Sequence, residues 1–252
     1  MSLPAQPDKT IIACIIIAML LLSVPLAAQQ ISETQWGKNT PGVELATHEG
    51  PRQHTSSGTL VICNILGRGF PADKTYDLWF WSLGKKPEKA MRGVSFDKRG
   101  LLVCSGKPGS CKGEGADDAI NIQAKAALGE PKRFGVVSTD GKVSGFIEAV
   151  PFPIEAKDKS CNVSVVRQSQ LAESVILRGS GFPPHESVAV QKQPAGNVTM
   201  ESPTAGGDGT WQEIVEVEVP GQNSGTATIK ASGKSCSVSV SFNWGEGSNQ
   251  HQ

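Results

Sequence analysis

Gly67-Arg-Gly-Phe-Pro-Ala-Asp-Lys74 and Gly179-Ser-Gly-Phe-Pro-Pro-His-Glu186 are the two stretches whose reading decides the fold. Both carry Gly-x-Gly-Phe-Pro, and the match continues outward on either side. Upstream, Cys63 and Ile65 align with Val175 and Leu177; downstream, Thr75-Tyr76-Asp77-Leu78 aligns with Ser187-Val188-Ala189-Val190. Further along, Gly129 and Gly141-Lys142 align with Gly221 and Gly233-Lys234 at one common spacing. Self-similarity of this kind predicts one supersecondary unit built twice. The residues inside each copy say which unit. Val163-x-Val165, Val175-x-Leu177, Val188-x-Val190 and Val238-x-Val240 skip every second position. Val215, Val217 and Val219 alternate with Glu216 and Glu218. A period of two marks a strand with one buried and one wet face, and many short strands punctuated by turns predict a β-sandwich. Gly69 and Gly181 are expected in turns that a side chain would obstruct, with Phe70 and Phe182 plugging the end of the core.

The composition agrees. The 252 residues include 28 Gly and 16 Pro with only 19% charged, a mix suited to strands and turns rather than helix bundles. The 24 Lys and Arg balance the 24 Asp and Glu, so there is no basic footprint and no nucleic-acid partner is expected.

The N-terminus has its own character. Lys9 precedes the apolar run Ile11 to Leu22; Pro25 breaks it, and Leu26-Ala27-Ala28 follows. This is the pattern of a secretory signal over residues 1–28, cleaved after Ala28. An uncleaved membrane anchor is the alternative, and only in that case would the chain touch a membrane. Residues 29–42 read as a flexible leader and 43–154 as the first module. Residues 155–159 read as a charged link, 160–244 as the second module and 245–252 as a disordered polar tail.

Export fits the cysteines. With Cys14 removed, Cys63, Cys104, Cys111, Cys161 and Cys236 remain. Cys104 and Cys111 enclose a Gly/Pro loop that can bring its ends together. Cys161 and Cys236 sit in near-identical Lys-Ser-Cys-x-Val-Ser-Val contexts, where they could bridge the two ends of the second module. Cys63 would then be free and buried; metal ligation is the alternative, although no Cys-x-x-Cys pair is present. Between Gly100 and Ile122 the first copy carries about 17 residues more than the second has between Gly209 and Ile214. This insertion is expected as a surface loop pinned by the Cys104–Cys111 bond. Asp117 to Leu128 could form a short helix, while the repeat favours strand from Ile120 onward.

A search for chemistry finds little. His48 and His54 are expected in a loop, His185 in a turn and His251 in the tail, in no ligand spacing. Glu216 and Glu218 read as a solvated face. Asp117-Asp118 after Gly113-Glu114-Gly115 could suit calcium but match no defined motif. No nucleophile elbow or phosphate loop occurs. No metal, cofactor or catalytic residue is therefore assigned, and the chain is expected not to be an enzyme. One stretch stands out, Thr75-Tyr76-Asp77-Leu78-Trp79-Phe80-Trp81-Ser82. On a strand Tyr76, Leu78 and Phe80 share one face and Trp79 and Trp81 the other. The repeat gives the tyrosine face to the core, which turns both tryptophans outward. They either form an open platform for a sugar ring or a partner protein, with Lys85 and Lys86 at its rim, or lie under the insertion, the leader or the second module.

The Gly-x-Gly-Phe-Pro-Pro turn after Val-x-Leu, followed by Asp208-Gly-Thr-Trp211 and the later glycine spacing, resembles bacterial extracellular immunoglobulin-like modules of the IPT/TIG kind. The resemblance covers Ser160 to Trp244 and, more loosely, Thr59 to Phe152. It implies an all-β protein of two divergent, tandem immunoglobulin-like sandwiches, secreted, periplasmic or at the cell surface. The role it implies is structural or interacting, with a protein or glycan partner. The carbohydrate-binding platform on the Trp pair is the alternative reading.

Overall fold

The computed structural model describes residues 37–55, 58–107, 111, 119–194, 198–246 and 248. The expected signal segment, Gly113 to Asp118 and His251 lie outside the described residues. No helix occurs among those described, and the sixteen strands are all paired antiparallel. In the N-terminal half they are β1 (Glu44–Thr55), β2 (Gly58–Arg68), β3 (Tyr76–Ser82), β4 (Glu88–Phe96), β5 (Leu102–Cys104), β6 (Ile122–Lys125), β7 (Lys132–Ser138) and β8 (Ser144–Ala149). The C-terminal half has β9 (Ile154–Asp158), β10 (Cys161–Arg167), β11 (Ser174–Ser180), β12 (Ala189–Pro194), β13 (Thr199–Glu201), β14 (Trp211–Glu216), β15 (Ser224–Ser232) and β16 (Ser237–Gly245).

Each half is a sandwich of two sheets. In the first, β1-β2-β6 faces β5-β4-β3-β7-β8; in the second, β14-β11-β10-β9 faces β13-β12-β15-β16. The order β6-β2-β1 recurs as β14-β11-β10, and β4-β3-β7-β8 recurs as β13-β12-β15-β16. The aligned residues lie where the alternation puts them. Cys63, Ile65, Tyr76 and Leu78 are buried in one core, and Val175, Leu177, Val188 and Val190 in the other. Val215 and Val217 are buried while Glu216 and Glu218 are exposed. The turn glycines show why the motif repeats. Gly69 (φ 76°) and Gly181 (φ 74°) are both left-handed. A Cβ would strike the Gly42 carbonyl in the first case and the Ser160 carbonyl in the second. In each half the turn therefore closes directly on the backbone that leads into β1 or its counterpart β10, and only glycine fits. Phe182 is buried beside it, and Phe70 packs on Tyr76 and Phe96 with ring centroids 5.3 and 4.4 Å apart.

Several boundaries move. The expected link 155–159 is strand β9, hairpinned to β10 through Lys159 and Ser160. A charged stretch forms a strand here because it is an edge with Glu155 and Lys157 turned to solvent. The leader is tied down over its described residues. Thr40 N–H donates to the Ser144 carbonyl (2.8 Å), and Asn39 Oδ1 accepts from Phe146 N–H (2.8 Å). The tail likewise continues inward, with Ser248 buried against Arg167. The insertion is more than a surface loop, since Leu102, Val103 and Cys104 form β5 and are buried. Ile122–Lys125 is strand, so the helical alternative fails. His48 lies within β1, opposite Asn64, rather than in a loop.

Candidate functional site

The Trp79/Trp81 pair is the element around which the sequence suggested a site, and β3 sets its direction. Tyr76 and Leu78 enter the core, and Phe80 packs against the same cluster. The indoles therefore point to the opposite face. They are not open there: Trp79 is 7% exposed and Trp81 8%. Of the two readings, the open platform is corrected and the covered pair is the one found, with a local cover in place of the insertion, leader or second module. Lys89, opposite Trp79 on β4, lays its ammonium 5.0 Å from the centroid of the Trp79 ring and is anchored by Asp77 at 2.6 Å. On the other side Trp79 is paired with Gly135. A Cβ at Gly135 would lie 2.8 Å from the Phe146 ring, so the missing side chain gives that ring its place beside the Trp79 stem. Trp81 is paired with Arg133, whose guanidinium stacks 5.0 Å from its ring centroid. Tryptophan faces attract cations, and long basic side chains cover apolar surface with their stems.

The cover extends into the C-terminal half. Arg133 Nε donates to Glu148 Oε2 at 3.0 Å, and Arg178 Nη2 of β11 donates to Glu148 Oε1 at 3.0 Å. One carboxylate thus bridges an arginine from each half. Next to it, Gln170 Nε2, from the loop between β10 and β11, donates to the Leu83 carbonyl at 3.1 Å. Gly84 (φ 70°) leaves room for that amide, since a Cβ would lie 2.9 Å from Gln170 Nε2. Behind the seam, Arg167 N–H donates to the Gly129 carbonyl and Gly129 N–H to the Phe152 carbonyl. Lys85 and Lys86, expected at the rim, are exposed at the tip of the β3–β4 hairpin beside this contact. The structure therefore brings the hairpin tip to the seam between halves, and the Arg133 that covers Trp81 reaches the seam through Glu148. Glu148, Arg133, Arg178 and Gln170 were missed by the sequence reading. They are ordinary charged or polar residues with no motif, and Arg178 lies 30 positions from its partner.

The cysteines pair as the sequence suggested. Cys104–Cys111 closes a separation of 7 residues with Cα atoms 5.5 Å apart. Cys161–Cys236 closes 75 residues at 6.3 Å, joining β10 to the start of β16 across the two sheets. Cys63 is free and buried, and burial pushes its thiol up from the ordinary value. Its sulfur faces the Ile122 carbonyl at 3.6 Å. Among the described residues no three His, Cys, Asp or Glu side chains converge as metal ligands.

This geometry defines an antiparallel all-β sandwich protein. No family model matches the sequence, and no curated protein is similar to it. Among solved structures it is similar to a tetra-tandem repeat in the extending region of a large adhesion protein. The TM-score is 0.26 and the identity 14%, over 81% of this chain and 49% of that one. It is also similar to a pullulanase complexed with maltotriose from Anoxybacillus sp. LM18-11 (TM-score 0.22, 9% identity, 74% and 24% covered). Red sea bream transglutaminase is a third (TM-score 0.21, 9% identity, 79% and 30% covered). The chain spans about half the length of the first of these and less of the others, and likeness at this level carries no argument about function.

Proposed function

We propose that this chain is an exported, non-catalytic structural or interaction protein of the cell surface or periplasm. In this reading it is built from two immunoglobulin-like modules held in a fixed relation. The observation that carries it is the Glu148 bridge between Arg133 and Arg178, laid over Trp81 at the seam of two sandwiches with one strand order. Tandem domains joined only by a linker move independently. Here a shared carboxylate and a side-chain amide oppose that motion. The two disulfides suit an oxidising compartment. A rigid pair of sandwiches serves as a spacer that presents its loops or edges at a set distance.

The test is the alignment of each half in a weakly ordered medium. Backbone residual dipolar couplings from both halves are expected to fit one common tensor. In a Glu148→Gln, Gln170→Ala double variant they are expected to need two. Two tensors already needed for the unaltered chain would overturn the spacer reading.

A further inference from the structure

Strand β16 ends at Gly245, and Glu246 and Ser248 follow it in a short polar stretch of the kind that ordinarily stays loose. Here that stretch is tied back. Glu246 N–H donates to the Asn223 carbonyl at 3.2 Å, and Ser248 N–H to the Gly245 carbonyl at 3.0 Å. Ser248 is 8% exposed and gives both of its oxygens to Arg167. Its hydroxyl accepts from Nη2 at 2.9 Å and its carbonyl from Nη1 at 3.4 Å. Arg167 Nη2 also donates to the Gln170 carbonyl. One guanidinium thus holds the tail and the loop of residues 168–173, which joins β10 to β11.

That loop is the part of the C-terminal half that grips the other. Gln170 Nε2 reaches the Leu83 carbonyl, and Arg167 N–H reaches the Gly129 carbonyl at 2.8 Å. Its shape needs outside support. Ala172 is buried and left-handed (φ 55°), a conformation that a residue with a side chain keeps only where its surroundings impose it. Arg167 is 2% exposed, and a charge so buried depends on acceptors for its N–H groups. Burial lowers its pKa from the ordinary value, and the charge of Glu130 acts the other way. Without Ser248 the guanidinium loses two acceptors and its cover together, and the Gln170 carbonyl loses a fixed donor.

We propose that the segment after β16 is an intramolecular strap, in which Ser248 fixes Arg167 and Arg167 keeps the 168–173 loop in the shape that grips Leu83. The seam then has two holds of different kinds. The Glu148 bridge is fixed in the strands, whereas the Gln170 hold is controlled by the tail. Whatever draws the tail off Arg167 removes the second hold and leaves the first. The inference rests on the spacer reading and adds a control to it; Arg167 is a positioning residue.

The test shortens the chain to end at Gly245, which keeps β16 whole and the Gly245 N–H bond to the Leu171 carbonyl. Hydrogen exchange of the Ala172 and Glu173 amides, both bonded to Ser169 within the loop, is expected to quicken roughly tenfold. The Ile229 amide in the core of β15 is expected to stay as it was. Dipolar couplings then read the seam with the Glu148 bridge removed. Full-length Glu148→Gln is expected to fit one tensor, and Glu148→Gln ending at Gly245 to need two. Unchanged loop exchange, or one tensor for both Glu148→Gln chains, would overturn the strap while leaving the spacer reading in place. Two tensors already in full-length Glu148→Gln would show that the loop holds nothing and equally overturn it. Two tensors in the unaltered chain would fail the spacer reading and its control together. Should the shortened chain not fold, Ser248→Gly in the full chain removes one acceptor from Arg167. It is expected to quicken the same two amides about threefold, and no change there would overturn the proposal.

Discussion

Strand β3 and its counterpart β12 differ most where they are least constrained by the core. Leu78 and Val190 occupy the same inward position and both are buried. The outward positions Trp79 and Trp81 correspond to Gln191 and Gln193, and Gln193 is exposed. Each sandwich must fill its own interior, so the inward register is held. The outward register records what lies on top: over Trp79 and Trp81 the side chains of Lys89 and Arg133, at Gln193 water. One inward position also diverges. Phe80 corresponds to Lys192, which is buried and ion-paired to Glu213 at 2.6 Å and to Glu201. A buried ammonium is tolerable only with such partners. Strands β13 and β14, at neighbouring edges of the two sheets, supply them.

The largest test of the comparison uses the disulfides. The chain-entropy estimate gives about 4 kcal/mol for the 75-residue Cys161–Cys236 loop and about 2 kcal/mol for the 7-residue Cys104–Cys111 loop. Paired Cys→Ala variants, unfolded in urea, are expected to show the C-terminal half losing more than the N-terminal half. Equal losses would break the asymmetry. Next in size, Trp81→Ala is expected to cost about 3 kcal/mol, whereas Gln193→Ala stays within about 0.5 kcal/mol. Similar costs at the two positions would mean that the indole is not buried in solution. A smaller effect is expected of Glu148→Gln, about 1 kcal/mol, since the bridging carboxylate is partly exposed. A thermal scan should show the loss shrinking in high salt.

The smallest expected effect concerns pH and is read here in the N-terminal half. The Lys74 ammonium, then Ser138 and the Lys142 N–H, hold the Asp140 carboxyl well below its ordinary value of 3.8. A depressed folded value stabilises above the unfolded value, and that stabilisation is lost as pH falls through 3.8 and below. Asp140→Asn should flatten the acid limb of the stability curve. An unchanged limb would show that the pair contributes nothing. At the other extreme, burial first, then the charges of Asp73 and Asp140, push the Tyr76 phenol up to about 12, with its hydroxyl donating to the Pro71 carbonyl at 2.7 Å. Its raised value means that stability falls between about pH 10 and 12, which absorbance titration of the one tyrosine reads directly.

Much of the fold was legible because it depends on local rules. Alternating valines gave the strands and their buried faces, and the paired Gly-x-Gly-Phe-Pro motifs gave the repeated turn. Matching contexts gave Cys161–Cys236. Less legible were elements made by their surroundings. The charged residues of β9 read as a link because a solvated edge strand has no apolar period. Leu102 to Cys104 was hidden inside an insertion whose glycines spoke for loop. The tail and the leader are polar, and their hydrogen bonds to distant strands leave no mark in composition. At the candidate site the direction of Trp79 and Trp81 was read from the period and a cover over them was one of two readings, whereas the side chains that supply it, Lys89 and Arg133, were not.

The sequence alone determined an antiparallel sandwich pattern written twice, because alternation, turn glycines and cysteine contexts act over a few residues. Only the tertiary structure decided which side chains close over the tryptophans and that Glu148 joins arginines of both halves. Those outcomes depend on side chains and strand edges brought together from far along the chain, where partner choice is a matter of position in space rather than of neighbours in sequence.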